Sequence, residues 1–487
     1  MPRLSDASLP TLPAFVERPR YDRRATTAGV VHLGIGAFHR AHQAVYFEHA
    51  LNAGDLRWGI TGASLRSPTV RAQMAPQDGL YTLVERDGDA ERLQVIGAVG
   101  DVLVVPDSPA ALVAALARPE THIVTLTVTE KGYKLDPASG ALITGDAAIA
   151  SDLADLSAPR TAPGLLVAGL SARRAAGLAP FTAISCDNLP HNGRRLSAAV
   201  LTIARAHDPA LGDWIEAEGA FPETMVDRIV PATDDADIAA LAARIGVEDR
   251  AMVKTEPFLQ WVIEDRFAGP WPDFEAAGAQ VTASVAPWET AKLRLLNGAH
   301  SGIAYLGGLA GVEFVHQMLA LPTVRRFIEA LWDETAATLA PPPGLDISAY
   351  RAALMARFSN PALQHRTRQI AMDGSQKLPQ RLLAPIAERR ARGLPVEILA
   401  LAVAAWMRWQ GARDDAGLGY RVDDPLAGIT AARLAGQHDP AAQVAALLAI
   451  DAIFPPSLAA DPLFRESLTR HLTALHEKGA RATLEAL

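Results

Sequence analysis

The chain has 487 residues, 49% hydrophobic and 21% charged, a globular composition too long for one ordinary core and expected to divide into two large domains. Its net charge of −8 and pI near 5.9 give no basic footprint for nucleic acid or an anionic membrane, so a small diffusible substrate is expected. A lone Cys186 excludes an internal disulfide, no cysteine-rich zinc spacing occurs, and no stretch reaches the ~20 apolar residues of a membrane span; a cytoplasmic, metal-free protein is expected.

In chain order, Gly29 to Gly36 reads as a short apolar strand ending in Gly34-x-Gly36, followed by a helix from Phe38 to Leu51. That is the strand, turn and helix of a dinucleotide fold, in which glycines admit a pyrophosphate and the helix start favours its charge. The third glycine of the usual fingerprint is replaced by His39, and a plain strand-ending turn is the competing reading. Trp58 to Leu65 reads as the second strand, but Leu65-Arg66-Ser67 follows where an acid would bind the ribose of NAD. Leu80 to Glu85 and Arg92 to Val99, around Asp87-Gly88-Asp89, predict an antiparallel hairpin inserted into this domain.

A helix from Pro109 to Ala117 leads into the β-branched run 123 to 129, a buried parallel strand that delivers Glu130 to a carboxyl end, where ligands sit in doubly wound sheets. Glu130 can reach a cofactor or a lysine there, or pair locally with Lys131. A polar linker is expected near 150 to 163, then an alanine-rich helix to Gly177 and a strand from Phe181 to Cys186 before the turn Asp187 to Gly193. Cys186 reads as a buried strand residue. Phe221 to Pro231 contains Asp227 and Arg228, which read alone are a surface pair; Glu256 to Asp265 is given an interdomain role, and 278 to 287 reads as a crossing strand and hinge.

From Glu289 onward the pattern is almost all helix, broken at Pro341-Pro342-Pro343-Gly344, Pro395 and Pro455-Pro456. At about 100° per residue, with Lys292 as zero, Glu289 falls near ~60°, His300 near ~80° and Asn297 near ~140°. One helix wall thus carries four groups able to hold or move protons. A capped surface helix with a Glu289 to Lys292 pairing is the plainer alternative. Domains at 1–281 and 282–487 are expected: an α/β, Rossmann-like dinucleotide-binding domain followed by a mostly α-helical domain, with reactants between them.

The spacing Glu289, Lys292, Asn297, His300 resembles the signature of the polyol-specific long-chain dehydrogenase/reductase family. So do Gly34-Ile35-Gly36-Ala37-Phe38-His39-Arg40-Ala41-His42-Gln43, Thr129 to Tyr133, the Asn188 turn and the Asp227 block. The resemblance implies that Lys292 is the general acid/base, that Asn297 and Asn188 polarise the reacting oxygen, and that His300 orients substrate. Glu289 is assigned to relaying protons, and Asp227 is implied in substrate binding. Gly34, Gly36, Ala37, Phe38, His39, Arg66 and Glu130 are expected on the cofactor. His365 to Lys377 places Lys377 at a substrate-contacting lysine and Gln369 where polyol-oxidising members carry arginine. Its wording is closer to the fructuronate reductases of the family than to its mannitol dehydrogenases. A substrate carboxylate also gives Arg366, Arg368 and Lys377 a purpose, since cations suit it; binding helix ends or acidic side chains nearby is the alternative.

The implied activity is a metal-independent, NAD(P)-dependent reduction of a keto sugar acid, with NAD favoured over NADP. Polyol and ketose interconversion is the runner-up, and a noncatalytic sugar-acid sensor the reading from another class. No nucleic acid or membrane partner is expected, and the chain should be a monomer or weak oligomer.

Overall fold

The computed structural model describes residues 1–136 and 139–487. The chain forms two compact units, Met1–Val285 and Ala286–Leu487. The first unit carries twelve strands among its described residues: β1 (Val16–Glu17), β2 (Val30–Leu33), β3 (Ile60–Ser64), β4 (Tyr81–Asp87), β5 (Ala90–Ile96), β6 (Val99–Val104), β7 (Ile123–Leu126), β8 (Thr182–Ser185), β9 (Thr224–Asp227), β10 (Val253–Thr255), β11 (Gln260–Glu264) and β12 (Gln280–Thr282).

Five of them form a parallel sheet in the order β6-β3-β2-β7-β8. Residues in these strands alternate between two apolar clusters: Val30, Ile60 and Ile123 enter one, Val31, Ala63 and Val124 the other. Both faces are therefore buried, as a parallel sheet covered by helices requires. The order is that of a dinucleotide-binding half, and it reverses direction between β2 and β7. The carboxyl ends of those two strands carry Gly34 and the Thr127 to Glu130 loop.

The hairpin of β4 and β5 pairs antiparallel, and β1 and β10 flank it in a second sheet, β1-β5-β4-β10. A third sheet, β12-β11-β9, sets Asp227 opposite Gln260. Helical structure after the nucleotide loop differs from the single helix expected. Ala37–Ala41 and Gln43–Asn52 are separate, broken at His42, whose backbone (φ −126°, ψ −88°) leaves the helical region. The expected linker at 150 to 163 is also partly helical, because Asp146 caps Ala147–Ala154 by accepting from the Ala148 and Ile149 N–H groups.

The second unit is helical, and no strand among its described residues joins a sheet. Its centre is Gly298–Leu309, all twelve residues of which are buried, against Glu397–Trp409 and Pro462–Glu485. Close approach is set by small residues: a Cβ on Gly308 would lie 2.5 Å from the Trp409 ring. Among the described residues no helix is long and apolar enough to cross a membrane.

Candidate functional site

In the first unit, the turn after β2 is shaped by Gly34, whose φ of +100° and 2.1 Å from an added Cβ to the Thr127 carbonyl oxygen leave no room for a side chain. Gly36 is different: a Cβ there would meet only the Gly34 oxygen at 3.8 Å, so this face of the loop is open for a ligand to approach the backbone. Beneath the loop lies His32, fully buried. Its Nδ1 contacts Thr125 Oγ1 at 2.7 Å and its Nε2 contacts Thr127 Oγ1 at 2.9 Å. His39 stacks on it with centroids 3.3 Å apart. Burial drives both imidazoles below their ordinary range, His32 to about 3, so the stack is of neutral rings. That stack explains why a histidine stands at the third fingerprint position.

At the carboxyl end of β7, Thr129 adopts φ +66°, an outlier for a β-branched residue. Asp187, at the end of β8, holds it there. Its carboxylate accepts from the Val128 N–H at 2.9 Å, the Thr129 N–H at 3.0 Å and the Tyr133 hydroxyl at 2.7 Å. Burial raises the Asp187 carboxyl against these bonds. Asp187 thus fixes both the loop bearing Glu130 and its own neighbour Asn188, which is exposed. Composition had marked this segment as a turn, but only the fold reveals the clamp. Asn192 continues it, its amide N–H groups bonding the Asp187 and Thr224 carbonyls and its oxygen accepting from the Thr224 N–H, so the β8 end and the β9 start are tied together.

Asp227 and Arg228 are not a surface pair. Both are buried, and Arg228 donates to the Ala41 and Glu256 carbonyls and pairs with Glu85. Glu256, given an interdomain role from sequence, accepts from the Ile229 N–H at 2.7 Å. Arg66 lies exposed past β3, where Ser64 Oγ donates to the Ser67 carbonyl at 2.6 Å.

In the second unit the segment holding Lys292 is not one continuous α-helix. Ala286–Ala291 and Gly298–Leu309 are α-helical, but Lys292–Asn297 is a π-helical turn. The 100° per residue arc is corrected accordingly. In an α-helix, hydrogen bonding over four residues stacks positions four apart; a turn bonded over five gives that relation to positions five apart. Lys292 and Asn297, five apart, are therefore brought toward one face, closer than an α-helix would hold them. Lys292 is 8% exposed, His300 7%, and Asn297 and Glu289 are half-buried.

The turn is gripped from three sides. Trp332 Nε1 donates to the Leu295 carbonyl at 2.9 Å, and Arg294 reaches the Thr338 carbonyl at 2.9 Å and pairs with Glu388. Arg381 Nη1 approaches the Asn297 carbonyl at 3.4 Å from a second π-helical turn, Pro379–Leu383. His300 packs on Phe358 (centroids 4.6 Å) and His365 (5.3 Å). Burial first, then the neighbouring His365, Arg357 and Arg381, hold its imidazole well below the ordinary range. Arg357 and Arg381 were not singled out from sequence; neither belongs to a recognisable local pattern.

The proposed carboxylate cations separate. Arg366 is exposed, paired with Glu313 and laid over Phe314, so the surface ion-pair alternative describes it. Arg368 lies over the Tyr420 ring, lining a recess of about 260 Å³ with Met372 and Trp409. Lys377 Nζ donates to the Met372 carbonyl at 2.6 Å and the Ile370 carbonyl at 3.3 Å. Among the described residues no group of three or more His, Cys, Asp or Glu side chains is arranged to hold a metal ion.

A dinucleotide-type sheet with an open glycine loop, and a separate helical unit that buries a lysine and a histidine beside a half-buried asparagine, are the parts of an oxidoreductase. Comparison with known proteins specifies the family. Residues 28–276 match the mannitol dehydrogenase Rossmann domain and 284–476 the mannitol dehydrogenase C-terminal domain. The chain is 43% identical over 492 residues to D-mannonate oxidoreductase of Escherichia coli (strain K12), covering 100% of both. It is 41% identical over 478 residues to mannitol 2-dehydrogenase of Pyrenophora tritici-repentis, covering 96% of this chain and 83% of that one. The solved ternary complex of Pseudomonas fluorescens mannitol 2-dehydrogenase with NAD and D-mannitol superposes with a TM-score of 0.83 at 39% identity, over 99% of both chains. The chain belongs to the mannitol dehydrogenase family.

Proposed function

We propose that the chain is an NAD-dependent oxidoreductase that reversibly reduces a keto sugar acid, fructuronate to mannonate. The observation that carries this reading is the end-to-end relation to a D-mannonate oxidoreductase. The proposed division of labour is a nucleotide-binding half over 1–281 and a catalytic half over 282–487, beside compact units that divide at Val285. The open loop at Gly34, Gly36 and Ala37, with Phe38 and His39 behind it, fits a pyrophosphate, and Arg66 and Glu130 stand at neighbouring strand ends. Bound NADH supplies the hydride.

Lys292, protonated, gives its proton to the oxygen of the reduced carbonyl, and in the reverse direction takes it back. Asn297 and Asn188 donate hydrogen bonds to that oxygen, strengthening as charge develops; such a donor is worth roughly 3 kcal/mol in other enzymes. His300, held neutral, orients a substrate hydroxyl, Asp227 and Lys377 bind the substrate chain, and Glu289 exchanges protons between Lys292 and water. Arg366 and Arg368 leave the proposed site because each is engaged at its own surface.

The likeness to mannitol 2-dehydrogenases supports a second reading, mannitol and fructose. NADH and NADPH oxidation followed against fructuronate, tagaturonate, fructose and xylulose separates the two. Fructuronate with NADH should exceed fructose by more than about a hundredfold in kcat/KM, some 2.7 kcal/mol. Comparable efficiencies promote the polyol reading, and an NADPH preference of that size overturns the cofactor.

A further inference from the structure

Buried arginines in this chain are satisfied by backbone oxygens when they lack a carboxylate. Arg173 shows the pattern: Nε donates to the Ala179 carbonyl at 2.6 Å, and Nη1 donates to Arg118 at 2.7 Å and to Leu116 at 3.1 Å. Arg381, half-buried, departs from it. Its Nη1 has only two long contacts, the Asn297 carbonyl at 3.4 Å and Ser301 Oγ at 3.3 Å. Nε and Nη2 have no hydrogen-bond partner among the described residues, and no carboxylate pairs with the side chain. Burial lowers the affinity of this guanidinium for its proton, opposed only by the Tyr305 hydroxyl. Drawing a cation even partly out of water without an anion is unfavourable, and a planar fork with two unused donors matches a carboxylate in particular.

Its position suits a sugar acid. Asn297, Ser301 and Tyr305 recur every four residues along the helix that carries the proposed oxygen-polarising group, and Arg381 touches the first two. One such step is about 6 Å of helix. In fructuronate the carboxylate carbon lies four carbons from the ketone, about 5 Å in an extended chain. His300, also beside Arg381, is neutral and so does not compete for the anion.

We propose that Arg381 binds the carboxylate of the substrate and sets the preference for a sugar acid over a neutral ketose, an assignment that rests on the sugar-acid reading above. The carboxylate accepts from the guanidinium fork at one end of the substrate while the ketone faces Lys292 and Asn297 at the other. Arg366 and Arg368, the cations sequence pattern favoured, are already engaged elsewhere.

The test uses the full-length enzyme and its Arg381→Gln and Arg381→Lys variants, with kcat and KM for fructuronate and fructose. NADH binding and thermal melting check folding. Arg381→Gln should lower kcat/KM for fructuronate about a hundredfold, mainly through KM, while lowering that for fructose less than tenfold. Arg381→Lys, which keeps the charge and loses the fork, should fall between, and keeps the test decisive if the glutamine variant does not fold. If the unmodified enzyme does not discriminate between the substrates, the sugar-acid reading itself fails. If it discriminates and the variants still do, Arg381 is not the carboxylate ligand although the reading stands. An equal loss on both substrates, mostly in kcat, also overturns the assignment and makes Arg381 a support for the Asn297 carbonyl.

Discussion

Glu48→Gln should change how stability depends on pH. Glu48 lies on Gln43–Asn52, the helix that continues from the nucleotide loop, and it is fully buried. Its Oε2 accepts from the Tyr21 hydroxyl at 2.8 Å and the Gly97 N–H at 2.9 Å, and Oε1 from Asn52 at 3.2 Å. Burial outweighs these bonds and pushes the carboxyl up from 4.5 to about 7. The folded side chain therefore holds its proton to higher pH than the unfolded one. Its contribution to stability is fully present below about pH 4.5 and is lost as pH rises through about 7. Each pH unit of that displacement is worth about 1.4 kcal/mol, so the loss across the window is on the order of 3 kcal/mol. Glutamine keeps the shape and cannot ionise. Melting both proteins at intervals from pH 5 to 8.5 should show the variant gaining on the wild type as pH rises, by roughly 6 °C at the alkaline end. Titration of the buried histidines is common to both and drops out of the difference. Parallel curves would refute the argument that Glu48 pays an ionisation penalty in the fold.

Lys292→Ala should lower kcat by roughly 10² to 10⁴ and leave NADH affinity within a fewfold by fluorescence titration; near-normal turnover at saturating substrate defeats the proton-transfer role. Gly34→Ala places a Cβ 2.1 Å from the Thr127 oxygen and should weaken NADH binding more than tenfold or prevent folding, whereas Gly36→Ala, with its nearest protein atom at 3.8 Å, should fold normally and lose affinity only through the ligand. Equal melting temperatures and equal NADH affinities for the two would contradict the loop geometry. Trp332→Phe removes the indole donor from the buried Leu295 carbonyl, which keeps the Gly298 N–H, a loss of about 0.5 to 1.5 kcal/mol. Because that bond braces the π turn, kcat should fall more than KM rises, and a drop in melting temperature with unaltered kcat would reduce Trp332 to a packing residue.

What the sequence could disclose followed the range of the interaction involved. Strands of the central sheet are short apolar runs bounded by turn residues, so Ile123–Leu126 and Thr182–Ser185 were readable within the longer runs 123 to 129 and 181 to 186, and the hairpin was marked by Asp87-Gly88-Asp89. The His42 break was not readable, because its residues keep helical hydrophobicity on both sides while His42 itself turns away to contact the Gln260 carbonyl at 2.8 Å. Arg228 illustrates the same limit in a side chain. Its neighbour in sequence, Asp227, was the obvious partner, whereas the fold supplies Glu85 from a strand more than a hundred residues earlier. For the candidate site, Glu289, Lys292, Asn297 and His300 were found together because one segment carries them. Arg357, Arg381 and Asp187 reach their places through packing of distant elements, which periodicity does not encode. The π turn escaped for a subtler reason: one residue added to a helical turn changes the phase of everything after it, yet leaves composition and spacing as they were.

That change of phase also decides how the proton work divides in the proposed reaction. Asn297 has no titrating group, so it can polarise an oxygen and do no more. His300 would be the natural acid at neutral pH, but burial, His365 and the two nearby arginines strip its proton well below that range. Tyr305 is held in the opposite sense, its hydroxyl raised by burial until it is neutral throughout. Neither the histidine nor the tyrosine can therefore exchange a proton with substrate at working pH without a large penalty. That leaves Lys292, which the π turn brings toward the face of Asn297, for the proposed proton transfer. The proposed transfer at the oxygen assigned to Asn297 agrees with that arrangement, and the positive charges that silence His300 would also favour the anionic end of a sugar acid over a neutral chain.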